Sequence, residues 1–315
     1  MTKSEVLTPI EVPMLLIGFK RLDFLKARID EISRTTVRIL FLSLDGGHGL
    51  SAEEIDNFIQ WAKSKLKRLD KLIIDQKTEN LGLVNHLTSA ISNVLSQYSH
   101  VVIVEDDIEL SNKFYESIIS GLNLQNLKNT TGIVGGFSVL NLPANKIINN
   151  QWRESNYIAI WGWGCSSDVW KNYKVKIETD LINKELSNSH TWNKLSNFQK
   201  QVWLGRFKKI AENPSKTWDI QLQYLSFVNE FNNLYPVSTL VRNVGFSDSR
   251  STNTKNKKPL WMSKNPPDSE VLNSNFAKNF VKVIVDILDS NLVFGDTKLI
   301  YYWKHRLKLR LTIRH

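Results

Sequence analysis

The sequence predicts an α/β fold: a mostly parallel central sheet with helices on both faces, joined to a lobe of mixed strands. Three observations predict it. Short apolar runs alternate with amphipathic helical patterns over the first third of the chain, acidic residues stand where those runs stop, and tryptophan crowds the middle third.

Residues 12–18 read as a short buried strand, and Phe19, Lys20 and Arg21 open a helical pattern carried by Leu25, Ile29 and Ile32. A second strand at 37–44 ends on Asp45-Gly46-Gly47, a turn signal. Residues 51–69 form a helix with Glu53 and Glu54 in its first turn, where the helix dipole favours acids. A strand at 71–75 and a helix at 83–98 follow. The fourth strand, 101–104, is wholly apolar, as expected of a central parallel strand covered on both faces, and stops abruptly on Glu105-Asp106-Asp107. Beyond it, short strands are expected at 133–137, 157–161 and 239–243, and helices at 167–173, 198–212 and 219–230. Residues 247–267, rich in Ser, Asn, Lys and Pro, read as a mobile lid or flap. A helix at 276–288 and a basic tail close the chain.

With 315 residues the chain can bury a core without a disulfide staple. The balance of 42% hydrophobic and 23% charged residues excludes collagen-like and wholly disordered chains. Its single cysteine, Cys165, rules out an intrachain disulfide framework and any Cys-rich metal site, and fits a reducing compartment. With no His near it in sequence, Cys165 reads as a small buried hydrophobe. No signal-peptide run opens the chain and no window reaches about 18 apolar residues, so neither export nor membrane spanning is expected. The net charge of +10 favours an anionic partner. Half of that excess sits in the last 12 residues, as Lys304, Arg306, Lys308, Arg310 and Arg314, so the body of the chain is ordinary. The motifs G-x-G-x-x-G, G-x-x-x-x-G-K and G-x-S-x-G are absent, and the six His have no metal-ligand spacing.

In parallel sheets ligands bind beyond the carboxyl ends of the strands, and Asp45 and the 105–107 triplet both fall there. Three adjacent acids after an apolar strand call for a cation or for solvent. A hard divalent ion would use carboxylate oxygens and keep positions open for a diphosphate; a solvated loop or helix cap is the alternative. Asp45 could accept from a nucleobase or ribose, or satisfy its own turn. Arg21 could reach a phosphate, or be solvated. Seven of the ten tryptophans fall in residues 152–218: Trp170, Trp192 and Trp203 read as core, whereas Trp161 and Trp163, beside Gly162 and Gly164, read as a ligand wall.

Together, Leu15-Leu16-Ile17-Gly18-Phe19-Lys20-Arg21, Leu44-Asp45-Gly46, Glu79-Asn80-Leu81-Gly82-Leu83, Val104-Glu105-Asp106-Asp107-Ile108-Glu109, the 161–170 stretch, Trp218-Asp219 and Asn243-Val244-Gly245-Phe246 resemble nucleotide-sugar glycosyltransferases of the GT-A fold. The nearest group contains the inverting N-acetylglucosaminyltransferase I and bacterial polysaccharide-assembly relatives, and the resemblance covers residues 12–252. It implies a Rossmann-like sheet in a catalytic domain over 1–252, with a nucleotide-sugar half (12–130) and an acceptor-side half (131–252), then a loop and helix (253–298) and the tail (299–315). It also implies that Asp107 ligates Mn²⁺ (or Mg²⁺), that Asp106 contacts ribose or bound water, and that Glu105 contacts the donor sugar or uridine. Asp45 would bind the base and Arg21 the base or diphosphate. Asp219 would be the general base, and Trp161, Gly162, Trp163 and Gly164 the donor-sugar and acceptor wall. Where the group's loop carries Thr-His-Thr, this chain has Ser249-Arg250-Ser251-Thr252, so Arg250 is expected to supply positive charge near the diphosphate.

The implied partners are a UDP-sugar donor and a glycan or lipid-linked acceptor, not nucleic acid, which finds neither a recognition motif nor a spread basic stripe here. The tail alternates apolar and basic residues, which suits contact with the inner face of the cell membrane from the cytoplasm; oligomerisation or a solvated helix are the alternatives. A nucleotidyltransferase would use similar metal and diphosphate chemistry but needs an early glycine loop rich in Lys or Arg, which Gly46-Gly47 does not supply. A non-catalytic carbohydrate-binding protein is the remaining rival.

Overall fold

The structure, a computed structural model, describes residues 6–8, 10–47, 49–140, 151–246, 248–250 and 279–296. The basic tail and most of the expected flap lie outside the described residues. The first half alternates β1 (Met14–Gly18), α1 (Leu22–Ile32), β2 (Ile39–Leu44), α2 (Ala52–Lys65), β3 (Lys71–Gln76), α3 (Gly82–Leu95) and β4 (His100–Glu105). These strands pair in parallel in the order β3-β2-β1-β4. The mainly apolar β1, β2 and β4 follow from burial on two faces, whereas β3, at the sheet edge, is only partly buried and carries Lys71, Asp75 and Gln76. Met14 and Leu16 of β1 pack with α1 and α2 residues such as Leu25, Ile29 and Phe58, while Leu15 and Ile17 pack with Val84, Leu87 and Ile91 of α3. Ser51 caps α2 in a reciprocal capping box with Glu54.

After β4 come β5 (Ile108–Leu110), α4 (Phe114–Lys128), β6 (Val134–Gly135), β7 (Trp152–Ser155), β8 (Trp163–Ser166) and α5 (Ser167–Trp170). Then follow α6 (Ile182–Ser187), α7 (His190–Asn193), α8 (Asn197–Glu212), α9 (Asp219–Val228), β9 (Asn233–Pro236), β10 (Val241–Asn243) and α10 (Asn279–Leu288), which runs into a π-helical turn at Asp289–Val293. Antiparallel β8 extends the sheet beside β4, and the order continues β8-β6-β9-β7. The result is an α/β fold whose eight-stranded sheet is parallel in its first half and mixed in its second.

Two expectations fail here. Residues 157–161 are not a strand: the Ile158 N–H donates to Gln223 Oε1 (2.7 Å) and the Ala159 N–H to Tyr235 Oη (2.8 Å), which removes them from any ladder. Nor is the acidic triplet a helix cap. It is the turn between β4 and β5, and β5 pairs antiparallel with β10, which brings Asn243, Val244 and Gly245 beside Asp107.

Candidate functional site: an acidic crevice at the carboxyl edge

The order β3-β2-β1-β4 reverses direction between β1 and β4, the place where an open parallel sheet leaves a crevice beyond its strand ends. A crevice of about 630 Å³ opens there. Arg21, Asp45, Glu105, Asp106, Asp107, Trp161, Asp219 and Arg250 all line it, so eight side chains singled out in the sequence converge on one space. A groove of similar size between α3 and α5 has no carboxylate in its lining among the described residues.

Backbone bonds fix the acidic edge. The Asp106 N–H donates to Ile17 O (3.0 Å) and the Val244 N–H to Asp107 O (2.8 Å). Arg21 forms a fork with both oxygens of Asp106, and its Nη2 lies 3.1 Å from Asp107 Oδ2. One guanidinium thus faces three carboxylates that are poorly solvated. Burial and the neighbouring Asp107 and Asp106 raise the Glu105 pKa to about 8. Burial outweighs Arg21 at Asp106, raising it to about 6, and moves Asp107 in the same direction. The edge therefore lacks positive charge in its ionised form.

Among the described residues, no group of three or more acids, His or Cys stands ready as a complete metal cage. The donor set nonetheless suits a hard divalent ion of the kind that takes one or two carboxylates and completes its shell with substrate phosphates and water. The charge-deficient carboxylates supply those oxygens, and Asp107 is the member whose Arg21 contact is a single nitrogen.

Asp45 is 4% exposed, and its Oδ1 accepts from the Gly46 N–H (3.0 Å) and the Leu81 N–H (2.9 Å). It satisfies its own turn and lines the crevice at once. Asp219 is the first residue of α9. Its Oδ1 accepts from the Thr217 hydroxyl and the Ile220 N–H (2.9 Å), while Oδ2 has no partner among the described residues. An oriented carboxylate with one open oxygen can accept a proton from a bound hydroxyl. Trp161 stands between the crevice and a smaller recess, edge-on to Phe137 at 4.7 Å.

Three expected wall residues are displaced. Trp163 is 1% exposed and stacks on Trp218 at 5.7 Å in the core. Gly162 adopts φ +58°, and a Cβ there would meet the Phe114 ring at 2.9 Å, so its glycine serves the turn and the packing, not a ligand. A Cβ on Gly164 would meet Ile118 at 2.8 Å. Arg250 reaches the crevice with its charge already balanced: it holds Asp23 bidentately (2.7 and 2.8 Å) and Asp248 (2.7 Å), tying its loop to the start of α1.

Sequence reasoning missed Lys20, Lys216, Asn80, Asn243 and His86, all of which line the crevice. His86 is 3% exposed, its Nε2 is 2.9 Å from Ser43 Oγ, and burial lowers its pKa. Its place between the core residues Val84 and Leu87 was the available signal.

No family model matches the chain, and no curated protein matches it in sequence. Solved structures with a similar arrangement include a mannosyltransferase, PcManGT from Pyrobaculum calidifontis, in complex with GDP-Man and Mn²⁺ (10% identity, TM-score 0.40, covering 69% of each chain). They also include UDP-glucose pyrophosphorylase with UDP-glucose (6% identity, TM-score 0.39, 74% of this chain and 94% of that one). A third is a putative glucose-1-phosphate thymidylyltransferase from Bacillus anthracis with a sucrose (12% identity, TM-score 0.32, 62% and 82%). At these scores the likeness carries no residue correspondence, and the site stands on its own geometry.

Proposed function

We propose that the chain is an inverting glycosyltransferase that moves a sugar from a nucleotide donor, UDP by the resemblance above, to a hydroxyl of a glycan or lipid-linked acceptor. The observation that carries this reading is the convergence of the acidic triplet, Asp45, Arg21 and Asp219 on one crevice. Direct displacement at an anomeric carbon needs a base on the acceptor hydroxyl, a neutralised diphosphate and a sugar held between them. Asp219 presents Oδ2 to the hydroxyl and is held by Thr217 and Ile220. Lys20 and Lys216 line the same space and favour a diphosphate. Trp161 offers an aromatic surface to a sugar's C–H face. Asp107 would hold a divalent cation, Mn²⁺ or Mg²⁺, whose chemistry is to neutralise the departing diphosphate.

A screen of nucleotide sugars with Mn²⁺, repeated with Asp107→Ala and Asp219→Ala, tests the assignment. Both variants are expected to lose transfer by roughly a hundredfold or more, with donor binding weakened only in the first. NMR of the product should show an inverted anomeric centre; retention, or full transfer after exhaustive chelation, would overturn the mechanism. Formation of a nucleoside triphosphate and a sugar 1-phosphate when pyrophosphate is added, in place of a nucleoside diphosphate, would mark a nucleotidyltransferase instead.

A further inference from the structure

Trp161 and Asp219 line a second recess as well, of about 260 Å³, on the side away from the acidic triplet. Phe137, Trp203 and Phe294 wall it, and among the described residues Arg206 is its one cationic lining residue. Arg206 belongs to α8, whereas Phe294 arrives from the far end of the described chain, just past the π-helical turn, and stacks on Tyr157 at 4.6 Å. The recess is therefore assembled from distant segments around Arg206, its single positive charge among the described residues.

That charge is held but unspent. The guanidinium lies 4.4 Å from the Trp203 ring centroid, and Nη2 donates to Phe294 O. Other well-buried arginines have a carboxylate: Arg21 has Asp106, Arg28 has Glu31 and Arg153 has Asp289. Arg68 has none among the described residues but donates to three backbone carbonyls, those of Ser33, Val37 and Ile32. Arg206 has one carbonyl and, among the described residues, no carboxylate within ion-pair distance; Asp219 and Asp296 act on it only from further away. Asp296 is engaged elsewhere, its Oδ2 accepting from Trp203 Nε1 (3.1 Å) and the Tyr157 hydroxyl. A half-buried guanidinium with unused N–H groups, facing an open recess, is built to receive an oxyanion in its planar fork.

We infer that Arg206 selects an acceptor bearing an anionic group, a carboxylate or a phosphate, close to the hydroxyl presented to Asp219. This deepens the transferase reading and rests on it. The aromatic walls suit the faces of a sugar ring, and the fork suits its charged substituent. A neutral acceptor leaves the guanidinium desolvated without a counter-ion, so discrimination comes from that mismatch as well as from the new contact.

The test holds the donor fixed and compares three simple glycosides as acceptors: a neutral hexose, the matching hexuronic acid and the matching hexose phosphate. In the native protein kcat/KM is expected to be at least about tenfold higher for one charged acceptor than for the neutral one, and the uronic acid and phosphate arms tell which oxyanion is meant. Arg206→Gln should bring that ratio close to one, and Arg206→Lys should keep part of it. The ratio is internal to each variant, so partial unfolding does not move it. Donor turnover with no charge preference in the native protein, or a preference that survives Arg206→Gln, would overturn the inference alone. Failure to turn over any sugar nucleotide would overturn the transferase reading together with it.

Discussion

The two sides of the crevice are built on different principles. On the side we propose for the donor, Asp45 and the 105–107 triplet sit on the ends of strands buried on both faces, and backbone N–H groups fix each turn. On the side we propose for the acceptor, Trp161, Asp219, Arg206 and Phe294 come from a loop, two helices and the segment past α10, joined by aromatic packing and a few side-chain bonds. A sheet edge places charge to within the tolerance of a hydrogen-bond ladder. An aromatic assembly of distant segments supplies shape, which can change while the sheet stays as it is. The donor side should therefore respond to small displacements with loss of rate, and the acceptor side with altered choice of substrate.

The largest effect is expected at Gly245. A Cβ there would lie 2.3 Å from Asp107 Oδ2, with Asp107 Cγ at 3.0 Å, so Gly245→Val must push the carboxylate or the loop aside. Displacements on the order of 1 Å at a reacting centre cost about a hundredfold in rate. Steady-state transfer should show that loss in kcat while the thermal midpoint falls little. A variant as fast as the native protein would mean that the position of Asp107 does not matter, and the contrast between the two sides would fail.

The same contrast explains what was legible in the sequence. Residues 14–105 were readable because β1, β2 and β4 are nearly continuous apolar runs, β3 keeps Leu72, Ile73 and Ile74 between polar ends, and each helix keeps its 3.6-residue stripe, so local pattern and tertiary role agree. The second half broke that agreement. β6, expected over 133–137, keeps only two residues, and β9 includes Asn233 and Pro236 and carries no strand pattern. Trp161 and Trp163 read as one wall in the sequence because each stands beside a glycine, Gly162 or Gly164. The positive φ at Gly162 turns the chain between them, with Trp161 at the crevice and Trp163 in the core. The acidic triplet and Asp219 could be named from their motifs. The partners that tune them, Arg21 on Asp106 and Thr217 on Asp219, are set by the folded backbone, and the Arg206 recess exists only once residue 294 has crossed to α8.

A moderate effect is expected from pH. Burial holds the Glu105 pKa at about 8, above its ordinary 4.5, so between those values the folded chain binds a proton that the unfolded chain releases. Stability of the cation-free protein should then fall as pH rises through that window, and Asp106, at about 6, adds to the fall below pH 6. His86 and His100, lowered by burial, work in the opposite direction up to about pH 6.5. Above pH 6.5 those histidines no longer oppose the fall, so the interval from pH 6.5 to 8 reads the buried carboxyls, Glu105 first among them and Asp107 beside it. Thermal melts should show a falling midpoint there in the native protein and a flatter one in Glu105→Gln. Added Mn²⁺ should raise the native midpoint more at pH 8 than at pH 6.5, because the ion competes with that proton. Equal shifts at the two values would argue that the cation binds elsewhere.

The smallest effect is expected at Arg250, the residue that stands where the resembling group has His. Its charge is balanced by Asp23 and Asp248, and the cluster is largely exposed, so its electrostatic reach into the crevice is weakened by both carboxylates and by solvent. What remains is tethering: the guanidinium joins the 248–250 loop to α1 beside Phe24, whose ring also lies 5.1 Å from Arg21. Arg250→Ala should raise the donor KM about threefold with kcat nearly unchanged, the pattern of a lost uniform contact. Arg250→Lys, which keeps the charge without the bidentate fork, should resemble Ala if tethering is the role and the native protein if charge is. A tenfold or larger loss in kcat would place Arg250 among the groups that act in the transition state and would give the donor side a mobile charge that its sheet edge does not otherwise have.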